Sequence, residues 1–343
     1  MTRRGLGMLL ALVLLAGLVG SAWAQALPRS VTFGTNTPGT VFYAVASGLA
    51  KVVTDSTPMQ MTVQPYTGTS TFLPLLNAGE LDFGIINAVD LGMAYQGPQR
   101  LKVGGRNVFP HSPQVRLVLR GGPLMFAFLV RKDSPIKTVA DIKGKRLTGE
   151  YPAHLAVWTV MYAALTGAGL SWNDVKVVPV PAVNDGVDAL VQGRADVTGC
   201  ALNAAKIREA DTAVGVRHLA VDCSAESERR TRQAVPGFYH RIVKTGGAVA
   251  VVEDTGVLAY DVYVTTHRGA SEHVVAALLK AVWDSMDKLG PFHPTFKEWT
   301  RERAAAGDAT IPYHPAAIKF YKDQGLWKPE MDQMQQKLLA LNP

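Results

Sequence analysis

The chain is 343 residues long, 48% hydrophobic and 18% charged, with a formal net charge of +7. That length suffices for two lobes with separate cores, and two cysteines, Cys200 and Cys223, are too few for a disulfide framework. The positive balance suits long-range attraction of anions, but no Lys/Arg run interleaved with aromatics occurs, which argues against a nucleic-acid partner.

Arg3 and Arg4 precede an uncharged apolar run from Gly5 to Gly20, and Ala22-Trp23-Ala24 places small residues where a signal peptidase cuts. Residues 1–24 are therefore expected to be a signal peptide, cleaved near Ala24, with the mature chain in the periplasm. A membrane anchor needs about 20 apolar residues, more than this run supplies. No second long apolar run follows, and no Cys follows the first to carry a lipid.

From there strand and helix patterns alternate. Ser30 to Gly34 reads as a strand. Thr40 can cap a helix whose apolar face is Val41, Phe42, Val45, Ala46, Leu49, Val52 and Val53, a helical spacing. Met61 to Pro65 reads as a strand, Phe72 to Asn77 as a short helix stopped near Gly79, and Leu81 to Asn87 as a buried strand. This βαβαβ order implies a parallel sheet with helices on its faces. A second unit starts after Phe128-Leu129-Val130-Arg131. It runs through a strand at Arg146–Thr148, a helix from His154 to Leu165 ended by Gly167 and Gly169, and a strand at Val175–Val180. A helix capped by Asp185 follows, then strands at Ala195–Gly199 and Val216–Val221. Tyr260 to Thr266 reads as an extended strand. From Ser271 onward helices dominate, the last carrying Met331, Met334, Leu338 and Leu341, and this tail is expected to pack back across an earlier lobe. Cys200 and Cys223 both fall near strand ends, where a disulfide and two free thiols are both open.

In open α/β sheets ligands bind beyond the carboxyl ends of the strands. Gly34-Thr35-Asn36-Thr37-Pro38-Gly39-Thr40 lies at such an edge. Its glycines allow close backbone approach, Thr35, Thr37 and Thr40 offer hydroxyls, and the following helix N-terminus offers unpaired N–H groups. An ordinary turn capped by Thr40 accounts for the same residues. The segment is not a phosphate loop, since the Lys-Ser/Thr ending is missing. Tyr66-Thr67-Gly68-Thr69-Ser70-Thr71 repeats the strand-to-helix logic; its alternative is a loop in which Ser70 or Thr71 caps the helix. Asn87, at the next strand end, either meets a ligand or ties down its own turn. In the second unit, Tyr151 and His154 precede a helix and Asn203 follows a strand. Arg116, Arg120 and Arg131 could grip a carboxylate bidentately or serve as paired surface residues.

Enzyme signatures are missing: no His-Glu-x-x-His, no Cys-x-x-Cys, no Gly-x-Ser-x-Gly, and eight histidines without metal-ligand spacing. No catalytic residue, metal or cofactor is expected.

Gly34-Thr35…Gly39-Thr40-Val41-Phe42-Tyr43 resembles the opening motif of the TAXI group, the substrate-binding components of one class of tripartite ATP-independent periplasmic (TRAP) transporters. Gly79-Glu80-Leu81-Asp82-Phe83-Gly84-Ile85, Asp141-Ile142-Lys143-Gly144-Lys145-Arg146, Gly193-Arg194-Ala195-Asp196 and the tail from Ile311-Pro312-Tyr313-His314 to Trp327 are similar to that group in the same order. The resemblance implies a type II periplasmic binding fold: two α/β lobes joined by hinge strands, with a helical C-terminal tail. It implies a small carboxylate or amino-acid-like ligand, delivery to the permease subunits of an ion-gradient-driven transporter, and a monomer. Matching positions imply that Thr35, Gly39, Thr40, Tyr43, Thr67, Gly68, Thr69, Asn87 and Ala88 line the first-lobe site. Two departures stand out. Gly149-Glu150-Tyr151-Pro152-Ala153-His154 replaces a Gly/Ser-rich turn, favouring a different or more aromatic acid, or through Glu150 an amine. Phe72 stands where the group commonly has Asn.

The chain is thus expected to form lobe 1 from 25–128 plus 265–343 and lobe 2 from 129–264, and to close around a solute without making or breaking a bond. The alternatives are an ABC-type binding protein, a periplasmic ligand sensor or adapter, or an enzyme on the same fold.

Overall fold

The computed structural model describes residues 26–342, so the expected signal peptide lies outside the described residues. In chain order the first half contains β1 (Ser30–Asn36), α1 (Val41–Ser56), β2 (Gln60–Tyr66), α2 (Thr69–Ala78), β3 (Phe83–Asn87), α3 (Ala88–Gln96) and the 17-residue β4 (Val115–Arg131). β5 (Arg146–Glu150), α4 (Leu155–Gly167), β6 (Lys176–Val180), α5 (Val183–Val191), β7 (Thr198–Ala201), α6 (Ala205–Val214), β8 (Val216–Leu219), α7 (Ala225–Ala234) and β9 (Tyr239–Val243) make the second half. β10 (Thr255–His267) leads to α8 (Glu272–Asp284), a run of 3-10 turns, α9 (Pro315–Asp323) and α10 (Pro329–Leu339).

β1 pairs in parallel with β2 and with β3, as the βαβαβ reading requires. β1 and β3 are buried nearly throughout because helices cover both faces of a parallel sheet. α1 presents the expected apolar stripe to this sheet and is capped by Thr40, whose Oγ1 accepts from the Tyr43 N–H at 3.2 Å. α2 ends at Gly79, where a φ of 78° needs a residue free of a Cβ penalty.

β4 and β10 give the molecule its two-lobed form. They run antiparallel to each other from Val115↔His267 to Phe126↔Leu258. The C-terminal part of β10 also pairs with β3 in the first half, and its N-terminal part with β9 in the second. β4 likewise passes on to pair with β7 and β8 through Phe126–Arg131. β5 and β6 form a parallel pair, joined to the chain entering β7 by the Leu147↔Val197 bridge. The result is an α/β protein with two lobes and continuous hinge strands.

The tail packs back onto the first lobe. The Leu117 N–H donates to the Pro312 carbonyl, the His314 N–H donates to that of Leu117, and the Tyr321 hydroxyl donates to that of Val118. Arg120 pairs with Asp261, and with Asp308 at 2.9 Å, while Arg303 reaches Asp261 at 2.7 Å. These ion pairs tie β4, β10 and the tail together.

Several local expectations are corrected. Phe128–Arg131, after which a second unit was expected, is the end of a longer strand that begins at Val115 and is buried on both faces, so its residues carry no simple period. Asp185 does not cap α5: Ala182 holds that position and Asp185 sits in the first turn. Neither Ser70 nor Thr71 caps α2. Gly68 is the N-cap, Thr71 Oγ1 donates to the Gly68 carbonyl, and Ser70 faces the other lobe. Cys200 and Cys223 are both free.

Candidate functional site in the interlobe cleft

A small cavity of about 40 Å³, partly open at its mouth, lies where the halves meet. Asn36, Thr40, Val41 and Phe42 contribute the first-lobe wall. His154, Ala156, Val157, Val160, Val183, Cys200, Ala201 and Ala204 form the second-lobe wall, and Leu124, Phe126 and Tyr260 of the hinge strands close the back. The lining is predominantly apolar, and among the described residues lining it there is no Lys, Arg, Asp or Glu.

The strand-end rule places these residues. β1 ends at Asn36 and α1 starts after Thr40, so the intervening turn sits at the carboxyl edge of the sheet. A φ of 92° at Gly39 bends that turn. In the second half, the turn after β5 leads through His154 into α4, and the turn after β6 leads through Ala182 into α5. Both units thus aim equivalent edges at one gap.

Across the gap the lobes touch directly. Asn36 Nδ2 lies 3.3 Å from His154 Nε2. Asn184 donates through Nδ2 to the Pro38 carbonyl at 3.0 Å and to Thr37 Oγ1 at 3.4 Å. The Lys206 N–H donates to the Gly39 carbonyl at 3.2 Å, and the Leu155 N–H donates to Ser70 Oγ at 3.1 Å. Gly68 lies flat against the Ala153 carbonyl oxygen and His154 Cα, in space that a Cβ would fill. Away from the cavity, the Arg106 guanidinium stacks 4.2 Å above the Trp158 ring, which itself stacks on Tyr162. A turn of the first half is thereby seated on α4.

Burial sets the electrostatics. It lowers His154 to about 4, so the ring is neutral. It pushes the Cys200 thiol up to about 12, leaving it protonated. Asn36 Oδ1 and His154 Nδ1 are buried without a hydrogen-bond partner.

Of the residues expected to bind, Thr40 and His154 line the cavity. Thr37, Gly39, Gly68 and Ser70 face the second lobe and are occupied by it. The others lie elsewhere. Thr35 and Thr69 are fully buried, away from the cavity lining. Thr67 is exposed, and Tyr43 is half-buried outside the lining. Asn87 is consumed locally: Nδ2 donates to Asp90 Oδ2 at 2.6 Å and Oδ1 accepts from the Asp90 N–H at 2.7 Å. The Ala88 carbonyl accepts from Thr310. Tyr151 is fully buried in lobe 2, its hydroxyl 2.6 Å from Thr148 Oγ1, because a φ of 49° turns the ring inward. Asn203, with a φ of 66°, offers its carbonyl to His293. Arg116 donates to the Pro113 and Val115 carbonyls, and Arg120 and Arg131 pair with acids outside the cavity. Asn36, Asn184 and the hinge residues Phe126 and Tyr260 were missed. Asn36 was legible as the last residue of its strand, and Asn184 by the same edge rule in the second unit.

Solved structures share this architecture at low identity. The structure of a periplasmic transporter matches at 13% identity with a TM-score of 0.53, covering 92% of this chain and 99% of that one. The alkanesulfonate-binding protein SsuA from Xanthomonas axonopodis pv. citri, bound to MOPS, matches at 17% identity and a TM-score of 0.49 over 89% and 96% of the two chains. The substrate-binding protein of an amino acid ABC transporter matches at 14% identity and 0.44 over 79% and 99%. At these identities the likeness is one of fold, and the first of the three carries it. Residues 33–325 match the model of the NMT1-like family, and the chain belongs to that family.

Proposed function

We propose that this protein is a periplasmic solute-binding protein: it captures a small organic solute between its lobes and hands it to a membrane importer, with no bond made or broken. One observation carries this reading. Strand-end turns from both α/β units converge on a single interlobe cavity and meet across it. In this reading lobe 1 comprises 25–128 plus 265–343 and lobe 2 comprises 129–264. Closure bends β4 and β10, and the solute favours the closed state by its greater affinity for it. Asn36, Thr40 and His154 are the polar residues that meet the solute.

Two importer classes suit such a protein. An ABC importer is the class named for one of the structures above; an ion-gradient-driven TRAP importer is the class implied by the motif resemblance. Uptake into vesicles holding the adjacent-gene permease separates them: ATP dependence marks the first and dependence on an imposed ion gradient the second.

Calorimetry and thermal shift against a library of amino acids, carboxylates, sulfonates, amides and amines test the binding reading itself. The expected result is at least one saturable binder that raises the melting temperature and is recovered unchanged by mass spectrometry. A library without any binder, or a binder that is turned over, overturns it.

A further inference from the structure

Among the described residues, no charged side chain lines the cavity. His154 is held neutral, the Cys200 thiol is protonated, and the remaining polar lining groups are the Asn36 amide and the hydroxyls of Thr40 and Tyr260. Lys206 reaches the cleft through its backbone only, since its ammonium is held by Asp188 at 2.9 Å and Glu209 at 3.1 Å. A carboxylate entering this space loses its water and meets no cationic side chain among the described residues, only the partial charge of helix N-termini at Val41, Ala156 and Val183, and desolvation outweighs that return.

The polar contact across the cavity defines a recognition edge. Asn36 Nδ2 is a donor only, so the His154 Nε2 facing it at 3.3 Å accepts, and the neutral ring carries its proton on Nδ1. Both residues are more than nine-tenths buried, yet Asn36 Oδ1 and His154 Nδ1 have no partner. One is an acceptor and the other a donor. A buried donor and acceptor left unmade are costly, and a ligand that supplies the complement removes that cost.

We propose that the cleft selects an uncharged solute: an apolar aliphatic or aromatic body bearing one donor–acceptor edge of the carboxamide or lactam type, read by Asn36 and His154. This inference rests on the solute-binding reading and replaces the anionic ligand expected from sequence. With the lobes as close as they stand the cavity is too small for such a body, so the apolar wall of Phe42, Leu124, Phe126, Val157 and Val160 takes it only as the lobes part to admit the solute.

Two size-matched series test it by calorimetry on the mature protein at pH 7.5: benzamide, benzoate and benzylamine; and valerolactam, valerate and butylamine. In each series the neutral member is expected to bind at least about tenfold more tightly than either ion. Asn36→Leu and, independently, His154→Phe are expected to weaken the neutral member by about tenfold to a hundredfold, with folding of each variant checked by its melting curve. Native mass spectrometry of protein purified without refolding is expected to show any retained ligand as an uncharged compound. Tighter binding of benzoate or valerate, a retained carboxylate, or unchanged affinity of the neutral member in a folded variant overturns the inference and leaves the binding-protein reading intact. A blank in both these series and the wider library overturns both.

Discussion

Ser70 Oγ accepts the Leu155 N–H across the two lobes at 3.1 Å, so a hydroxyl of lobe 1 satisfies the first amide of a lobe 2 helix. Helix N-termini leave such amides unpaired and open to anions; here closure itself supplies a partner. Ser70→Ala is expected to reduce the closed-to-open ratio by about twofold to tenfold, the net worth of one hydrogen bond. A distance-sensitive dye pair, one on each lobe, would read the shift. An unchanged distribution would show that water replaces the hydroxyl at no cost.

Gly68 permits a close approach of the lobes. Its φ of −172° is open to any residue, so Gly68→Ala should fold normally, yet the added methyl would strike the Ala153 carbonyl and His154 Cα. We expect a larger radius of gyration in small-angle scattering, and ligand affinity weakened about tenfold or more because overpacking a tight contact costs roughly 1–3 kcal/mol. A variant as compact as the parent would disprove the contact.

Arg106→Ala removes the guanidinium from the face of Trp158. Such contacts contribute about 0.5–1 kcal/mol at exposed sites. The expected outcome is a redder tryptophan emission and an open population raised by about twofold to fivefold.

Three buried groups shape stability against pH. Burial lowers His154 and His218 to about 4 from 6.5, and raises Asp90 to about 8 from 3.8 against the opposing pull of its Asn87 hydrogen bond. Each histidine's folded value lies below its unfolded one, so its contribution is whole above pH 6.5 and is lost as pH falls toward 4. Asp90 runs the other way: its contribution is whole below pH 3.8 and is lost as pH rises through about 8. His240, His267, His293 and His314, also lowered by burial, steepen the acid limb. Urea unfolding should therefore give an optimum near about pH 6.5, with limbs of about 1.4 kcal/mol per pH unit per group. Asp90→Asn keeps an acceptor for Asn87 Nδ2 and abolishes the ionisation. It should be more stable than the parent at pH 9, by a margin that shrinks as pH falls. Equal stability at pH 9 would refute the buried-carboxyl account.

Cys200 lies at the cavity wall with its thiol pushed up to about 12, whereas Cys223 is half-buried and less strongly raised. Maleimide labelling followed by intact-mass analysis should modify Cys223 slowly and Cys200 only as the lobes open. A bound ligand should slow the second reaction further. Equal rates at both thiols would contradict the burial.

The periodic elements were legible because one physical rule wrote them. Val41, Val45, Leu49 and Val52 recur at helical spacing, and α1 follows them from its Thr40 cap. The parallel β1–β2–β3 core followed from alternation of strand and helix. β4 was not read as a strand, since one that pairs in both halves and is buried on both faces carries no single period. Of the residues expected to bind, Thr40 and His154 reach the cavity wall, from positions at strand and helix ends that the sequence displays. Tyr151 was not, because a left-handed backbone turns it into the lobe interior. Asn87 has the right location and the wrong direction: its amide closes on Asp90. Direction depends on local hydrogen bonding, which spacing does not record.

The lobes are joined by two crossing strands hydrogen-bonded to each other along the crossing. Two separate tethers would let one lobe twist, slide and tilt independently. A bonded ribbon couples those movements, so opening is expected to follow fewer independent coordinates. On the proposed reading, closure around a solute would move the outer surfaces of both lobes together, and an importer that senses their spacing would read occupancy without touching the solute.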